Sequence, residues 1–300
     1  MKAIRIVLAL SLVLGLLAGG AAAAPYKVTL ITMDQMDRHW AGVNSGCEKA
    51  AAESGSVTYN WLAPDVTDDA KQIEFINNAV AGGAQAILLA ANGPDAVTEA
   101  LKEAAASGVK IIYVDSPANF PAEATFTTNN EAAGETAGKE LLKALQAAGV
   151  TEGKLGIVNV NAATASTVAR EKGFRAAFAG SKFTILETQY GEGDVVKSKE
   201  IADNFITQGV VGLFGANEGS STGVGNAIQE AGGKVLAVGF DQSDALRELI
   251  KSGNLIATMA QNPDVMGYEG LKAAIAVLEG KTVSKDPVDT GVTVLTKDKL

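Results

Sequence analysis

From residue 26 onward the chain alternates short apolar runs with amphipathic stretches of helical length, and this restricts the fold more than any other feature. Strand-like runs lie near 27–33, 57–62, 85–91 and 109–114, with helical stretches near 40–54, 68–82 and 94–107 between them. A second series places strands near 154–160, 183–189, 210–214 and 234–239, with helices near 166–179, 194–207 and 219–231. A helix near 243–252 and a strand near 255–259 follow. Each apolar run is short and bounded by turn residues, as a buried parallel strand is. Such alternation calls for a parallel sheet with helices on both faces. Two series predict an α/β chain of two Rossmann-like, doubly wound lobes, each of ordinary domain size.

Between the series lie 124–130 (ATFTTNN) and a helix near 131–148 whose face carries Ala133, Ala137, Leu141 and Leu145. The first crossing between lobes is expected there. A helical pattern returns over 262–280 and a strand-like one over 288–295. The tail is therefore expected to revisit the first lobe and end in the second.

The residues that stop the apolar runs carry the functional information. The first run leads into Asp34, Asp37, His39 and Trp40; others lead into Asn92, Asp115, Asn161 with Arg170 after it, Asn217, Asp241 and Gln261. In open α/β sheets ligands bind beyond the carboxyl ends of the strands. Amides, carboxylates and a guanidinium there suit an uncharged ligand rich in hydroxyls, since each hydroxyl both donates and accepts.

Each of these residues also has a structural reading. Asp and Asn cap helices, each worth ~1 kcal/mol, and that reading is preferred for Asp95, Asp194 and Asp264. Asp115 and Asp241 follow apolar strands directly, in IIYVD and AVGFD, where a carboxylate is costly unless paired; ligand contact is preferred for them. Arg170, in AREKGF on the first turn of a predicted helix, can fork onto two ligand oxygens or pair at the surface with Glu171 or a nearby acid. Trp40 can stack on a sugar face or fill the core. His39 can be a hydrogen-bonding partner or a base, but no Ser or Cys motif accompanies it.

The first 24 residues read separately. A cationic MKAIR, an apolar IVLALSLVLGLLA and a small-residue GGAAAA form a secretory signal peptide, expected to be cut near Ala22 to Ala24. The apolar core falls short of the ~20 residues a spanning helix needs. After cleavage 23 basic residues stand against 34 acidic ones, a net charge of −11. So acidic a chain is a poor partner for nucleic acid. The single cysteine, Cys47, lies on a predicted helix and reads as core. One histidine and no CxxC leave no zinc or thiol-redox signature, and no phosphate loop, dinucleotide fingerprint or nucleophile elbow is present, so no cofactor or metal is expected.

AREKGF, GLFGANEGSSTGVGNAI, AVGFDQSD and IATMAQNPDVMGYEGLKAA, in this order, carry a resemblance. Over residues 26–300 the chain resembles the ribose-binding-protein family of periplasmic sugar-binding proteins, the type I solute-binding components of ABC importers. The resemblance implies two lobes joined by a three-crossing hinge, with ligand between them. It implies crossings near 128–129, 261–262 and 288–290, so that 25–128 plus 262–289 form one lobe and 129–261 plus 290–300 the other. It puts sugar-contacting positions on Asp37, Trp40, Asp115, Arg170, Asn217, Asp241 and Gln261, with Asn92 a looser match. It implies a monomer in the periplasm that delivers its ligand to a membrane permease, and is compatible with a chemoreceptor partner. Three positions depart from ribose binders: Ser116 replaces an Arg, His39 a Phe, and Gly193 an aromatic near which Tyr190 lies. These departures, with Asp34, Asp37 and Glu218 adding acidity, leave a sugar derivative, a polyol, a ligand with a positive group or autoinducer-2 open as ligand. A sugar-responsive repressor core has the same shape but lacks the signal peptide and requires an N-terminal helix-turn-helix. A secreted α/β enzyme requires a nucleophile–base pair or metal site.

Overall fold

The computed structural model describes residues 25–300. The signal peptide expected over 1–24 lies outside them. Two α/β layers form, as expected. The first sheet holds β1 (Tyr26–Ile31), β2 (Val57–Leu62), β3 (Ala86–Leu89), β4 (Lys110–Val114) and β5 (Ala124–Thr127), all parallel, in the order β5-β4-β3-β1-β2. The second sheet holds β6 (Glu152–Asn159), β7 (Lys182–Ile185), β8 (Gln189–Tyr190), β9 (Val210–Gly215), β10 (Leu236–Phe240) and β11 (Ala257–Gln261).

Helices cover both faces of both sheets. In the first lobe α1 (Arg38–Ser54) shares one face with α9 (Pro263–Leu278), and α2 (Asp69–Ala81) and α3 (Thr98–Ala106) take the other. In the second lobe α4 (Asn130–Ala147) and α5 (Ala165–Ala177) lie on one face. There α6 (Val195–Thr207), α7 (Glu218–Glu230) and α8 (Asp244–Lys251) lie on the other. The central strands are apolar throughout because both their faces are covered. Ile87, Leu88, Leu89, Leu155, Ile157 and Phe214 are fully buried. Among the described residues no helix is long and apolar enough to cross a membrane.

The chain passes between sheets three times: from β5 to α4, from β11 to α9, and between β12 (Val288–Asp289) and β13 (Val292–Thr296). β12 extends the first sheet beside β5, whereas β13 runs antiparallel to β11 in the second. The strand expected over 288–295 is thus two strands in two sheets. Gly291, at φ 82°, supplies the left-handed turn between them.

Other expectations shift locally. The strand near 183–189 splits into β7 and β8, both paired with β6. The helix near 94–107 begins only at Thr98, so Asp95 caps nothing and accepts from Asn119 Nδ2 at 2.6 Å. Asp194 caps α6 as expected, accepting from Lys197 N at 2.7 Å. Asn262 rather than Asp264 is the N-cap of α9, with Pro263 in its first turn. Cys47 is fully buried against the carbonyl of Gly267, and burial pushes its thiol up to about 12, so the core reading holds.

Candidate functional site

The carboxyl ends of both sheets face one another across a cleft. Its lining includes Asp34, Asp37, His39, Trp40 and Asp115 from the first lobe, and Arg170, Asn217, Asp241 and Gln261 from the second side. The space between them is about 370 Å³, part of it open to solvent.

Asp115 and Asp241 occupy equivalent places. Each follows a central strand and takes a left-handed backbone, at φ 63° and 72°. Each donates its N–H to the neighbouring strand, Asp115 to Phe126 O at 2.8 Å and Asp241 to Met259 O at 2.9 Å. This conformation is uncommon outside glycine, though Asp tolerates it better than most residues, and it concentrates at functional sites.

His39 lies between the two carboxylates. Its Nε2 is 3.0 Å from Asp115 Oδ2 and its Nδ1 3.5 Å from Asp241 Oδ1. The Nε2 contact is an ion pair poorly aligned for a hydrogen bond, leaving that nitrogen without a well-formed partner. Burial opposes the imidazolium charge, but the contact with Asp115 and the charges of Asp115, Asp241 and Asp37 outweigh it and raise the group from 6.5 to about 9. Burial likewise opposes the Asp115 carboxylate, but His39, Arg170 and Ser116 hold it well below the ordinary range.

Arg170 is only 2% exposed, and the surface pair with Glu171 does not form. Glu171 bonds Arg175, Thr188 and Asn159 instead. Arg170 also stands in the second turn of α5, not the first, because that helix starts at Ala165. Its guanidinium lies over the Phe240 ring, 4.2 Å from the centroid. Nε donates to Asn130 Oδ1 at 2.8 Å and Nη1 to Ala216 O at 3.0 Å. Nη2 is buried without a hydrogen-bond partner, 3.7 Å from Asp115 Oδ2. Two of its forks are thus tethered, and the third is aimed at the cleft.

Four lining residues serve structure as well. Asp37 and Asn217 cap α1 and α7, accepting from His39 N at 2.9 Å and Ser220 N at 3.0 Å. Their side chains also meet across the cleft, Asn217 Nδ2 donating to Asp37 Oδ2 at 3.2 Å. Trp40 both packs in the first-lobe core and lines the cleft, with Nε1 donating to Asp34 Oδ2 at 3.3 Å. Gln261 donates to Asp241 Oδ1 at 2.6 Å and accepts from Thr128 Oγ1 at 2.8 Å, linking two of the crossings to the site.

Asn92 alone among the expected positions is not part of the lining. Its amide donates to Asp69 at 2.5 Å and accepts from Asn161 at 3.0 Å, and its carbonyl accepts from Thr164 Oγ1 at 2.8 Å. It joins the lobes at the rim. Ser116, fully buried, also joins the lobes, donating to Ser166 Oγ at 2.6 Å. Thr164, Ser166 and Thr167, which do line the cleft, escaped the sequence reading. Their signal was a cluster of small hydroxyl residues between β6 and Arg170. Among the described residues no group of three or more His, Cys, Asp or Glu side chains is arranged to hold a metal ion.

The family described as periplasmic binding protein domain matches residues 28–282. The ribose import binding protein RbsB of Haemophilus influenzae is 28% identical, over 94% of this chain and 96% of that protein. The D-allose-binding periplasmic protein of Escherichia coli is 29% identical over 88% of each. Among solved structures, a carbohydrate transporter solute-binding protein from Agrobacterium radiobacter in complex with D-arabinose has a TM-score of 0.88 at 32% identity, covering 92% of this chain and 96% of that one. With its two type I lobes and facing strand ends, the chain belongs to the periplasmic binding protein family, among its ribose-binding-like members.

Proposed function

We propose that the protein is an extracytoplasmic receptor that captures an uncharged, polyhydroxylated solute of monosaccharide size and delivers it to an ABC permease. The observation that carries this is the central quartet of Asp115, Asp241, His39 and Arg170. Two carboxylates from different lobes face two cations, so the centre of the site is close to neutral. It offers acceptors and donors side by side, the pattern a vicinal diol satisfies. An isolated ionic ligand meets no uncompensated countercharge in this quartet.

Asp37, His39, Trp40, Asp115, Arg170, Asn217, Asp241 and Gln261 are the proposed ligand contacts, with Asn92 reassigned to the rim. The pairing of β12 with β5 and of β13 with β11 supports lobes of 25–128 plus 262–289 and 129–261 plus 290–300. Export by the N-terminal segment, with cleavage near Ala22 to Ala24, fits this role. Relatives that are a ribose import binding protein, a D-allose-binding periplasmic protein and a D-apiose import binding protein support the solute class. The cleft serves binding without turnover, so the solute leaves unchanged.

A thermal-shift screen of the purified protein tests the reading. D-ribose, D-allose, D-arabinose, D-fucose, D-tagatose, polyols and autoinducer-2 form the panel. A ligand at 100 times its dissociation constant adds ~2.7 kcal/mol of stability. At least one neutral sugar or polyol is expected to do so. Stabilisation by amino sugars or sugar acids alone contradicts the reading.

A further inference from the structure

The chain has one histidine, and it is buried at the point where the lobes meet. His39 belongs to the first lobe, following the Asp37 cap of α1. One nitrogen faces Asp115 of that lobe at 3.0 Å, and the other faces Asp241 of the second lobe at 3.5 Å. The rest of its surroundings hold few compensating cations. Asp37 lies on its own loop, Glu218 approaches its backbone from the start of α7, and Arg170 of α5 reaches the far side of the Asp115 carboxylate at 3.7 Å. The Trp40 ring meets the imidazole edge-on, 4.8 Å between centroids, and fixes its plane. A neutral imidazole bears no charge for either carboxylate to pair with; an imidazolium pairs with both. The other bonds across the cleft near this point, Asn217 to Asp37 and Ser116 to Ser166, join neutral donors to their partners.

We infer that His39 is a positioning residue, an imidazolium clamp that ties Asp115 of one lobe to Asp241 of the other and makes closure of the cleft depend on its proton. The inference rests on the reading of the cleft as one that opens and closes, and it concerns a charge that works before any solute arrives. Opening moves Asp241 away and leaves His39 with Asp115 alone. Closure therefore binds the His39 proton more tightly than the open form does. Linkage then sets the sign: the clamp is complete at neutral pH and is lost as pH rises through about 9.

The test needs no sugar. In protein purified without a histidine tag, the imidazole gives a single pair of ring C–H proton NMR signals, free of overlap from any other histidine. Its titration midpoint is expected near 9. Asp241→Asn, on the other lobe, is expected to lower that midpoint by about one pH unit, the usual effect of one close opposite charge. A midpoint near 6.5, or one that Asp241→Asn leaves in place, overturns the clamp. A second measurement covers a variant that fails to fold. Spin labels at the exposed positions of Met36→Cys and Val196→Cys report the separation of the lobes. The short-distance population is expected to shrink between pH 7 and 10.5. His39→Gln is expected to remove that dependence, and His39→Arg to recover part of the closed population. A distance distribution indifferent to pH overturns the proposal. If the titration behaves as expected while no neutral solute binds, the clamp stands and the proposed solute class falls.

Discussion

Glu218 shows how closely acids are packed around this cleft. It occupies the first helical position of α7, and one of its carboxylate oxygens is buried without a hydrogen-bond partner. Burial, with the nearby charge of Asp241, pushes its carboxyl up to about 7. Burial likewise drives Asp37 upward, helped by the charges of Asp241 and Glu218. The sign of the consequence is fixed. The folded form holds a proton on Glu218 that the unfolded form has lost, so stability falls as pH rises from about 4.5 to about 7. The loss is on the order of a few kcal/mol. Glu218→Gln is expected to abolish most of it and to be more stable than the parent at pH 7.5. Urea unfolding of both proteins at pH 4.5 and 7.5 measures this; an equal drop in the two contradicts it.

At the scale of elements, the helix pairs that carry the site are fastened by glycine. A Cβ on Gly134 of α4 would lie 2.0 Å from the carbonyl oxygen of Arg170, and one on Gly173 of α5 would lie 1.9 Å from that of Glu131. The first lobe repeats the arrangement between α1 and α9, where a Cβ on Gly46 would lie 2.0 Å from the Asp264 carbonyl oxygen and one on Gly267 1.9 Å from that of Val43. These contacts are with backbone, which cannot swing aside. Gly134 therefore sets how closely the turn bearing Arg170 approaches α4, where Asn130 holds the guanidinium. Gly173→Ala is expected to cost at least about 2 kcal/mol, toward the upper end of overpacking penalties. Denaturant unfolding checks it, and parent-like stability contradicts it.

Much at this scale was legible in the sequence. Ala133, Ala137, Leu141 and Leu145 form the buried face of α4 as their spacing indicates. Asp115 and Asp241 declared themselves because a carboxylate straight after an apolar strand has to be accounted for. The glycine contacts were not legible, since spacing within one helix does not reveal its partner's backbone. Nor was the role of Asn92, whose hydrogen-bond partners Asp69, Asn161 and Thr164 lie on two segments distant in sequence, the start of α2 and the β6–α5 connection. The break at Gly291 was hidden from the strand pattern, since the strands on either side of it read as one continuous run, and only the family resemblance implied a crossing near 288–290.

The whole molecule is two similar halves facing each other. The Asp115 and Asp241 turns and the two glycine-fastened helix pairs recur in both. What joins the halves, besides the three crossings, is almost wholly polar: Asn92 with Asn161 and Thr164, Ser116 with Ser166, Asp37 with Asn217, and His39 between its acids. Among the described residues no shared apolar core holds the lobes together; each sheet has its own clusters on its two faces. Polar contacts of this kind exchange for water at modest net cost, about 1 kcal/mol each. Such an interface permits hinge motion, and a solute bonded to both lobes biases it toward closure. Small-angle scattering, with and without a saturating amount of the neutral sugar or polyol that stabilises the protein most, tests this directly. The saturated protein is expected to fit the closed arrangement described above, and the free protein to show a larger radius of gyration. An identical radius in the two states, at proven saturation, would contradict capture between closing lobes.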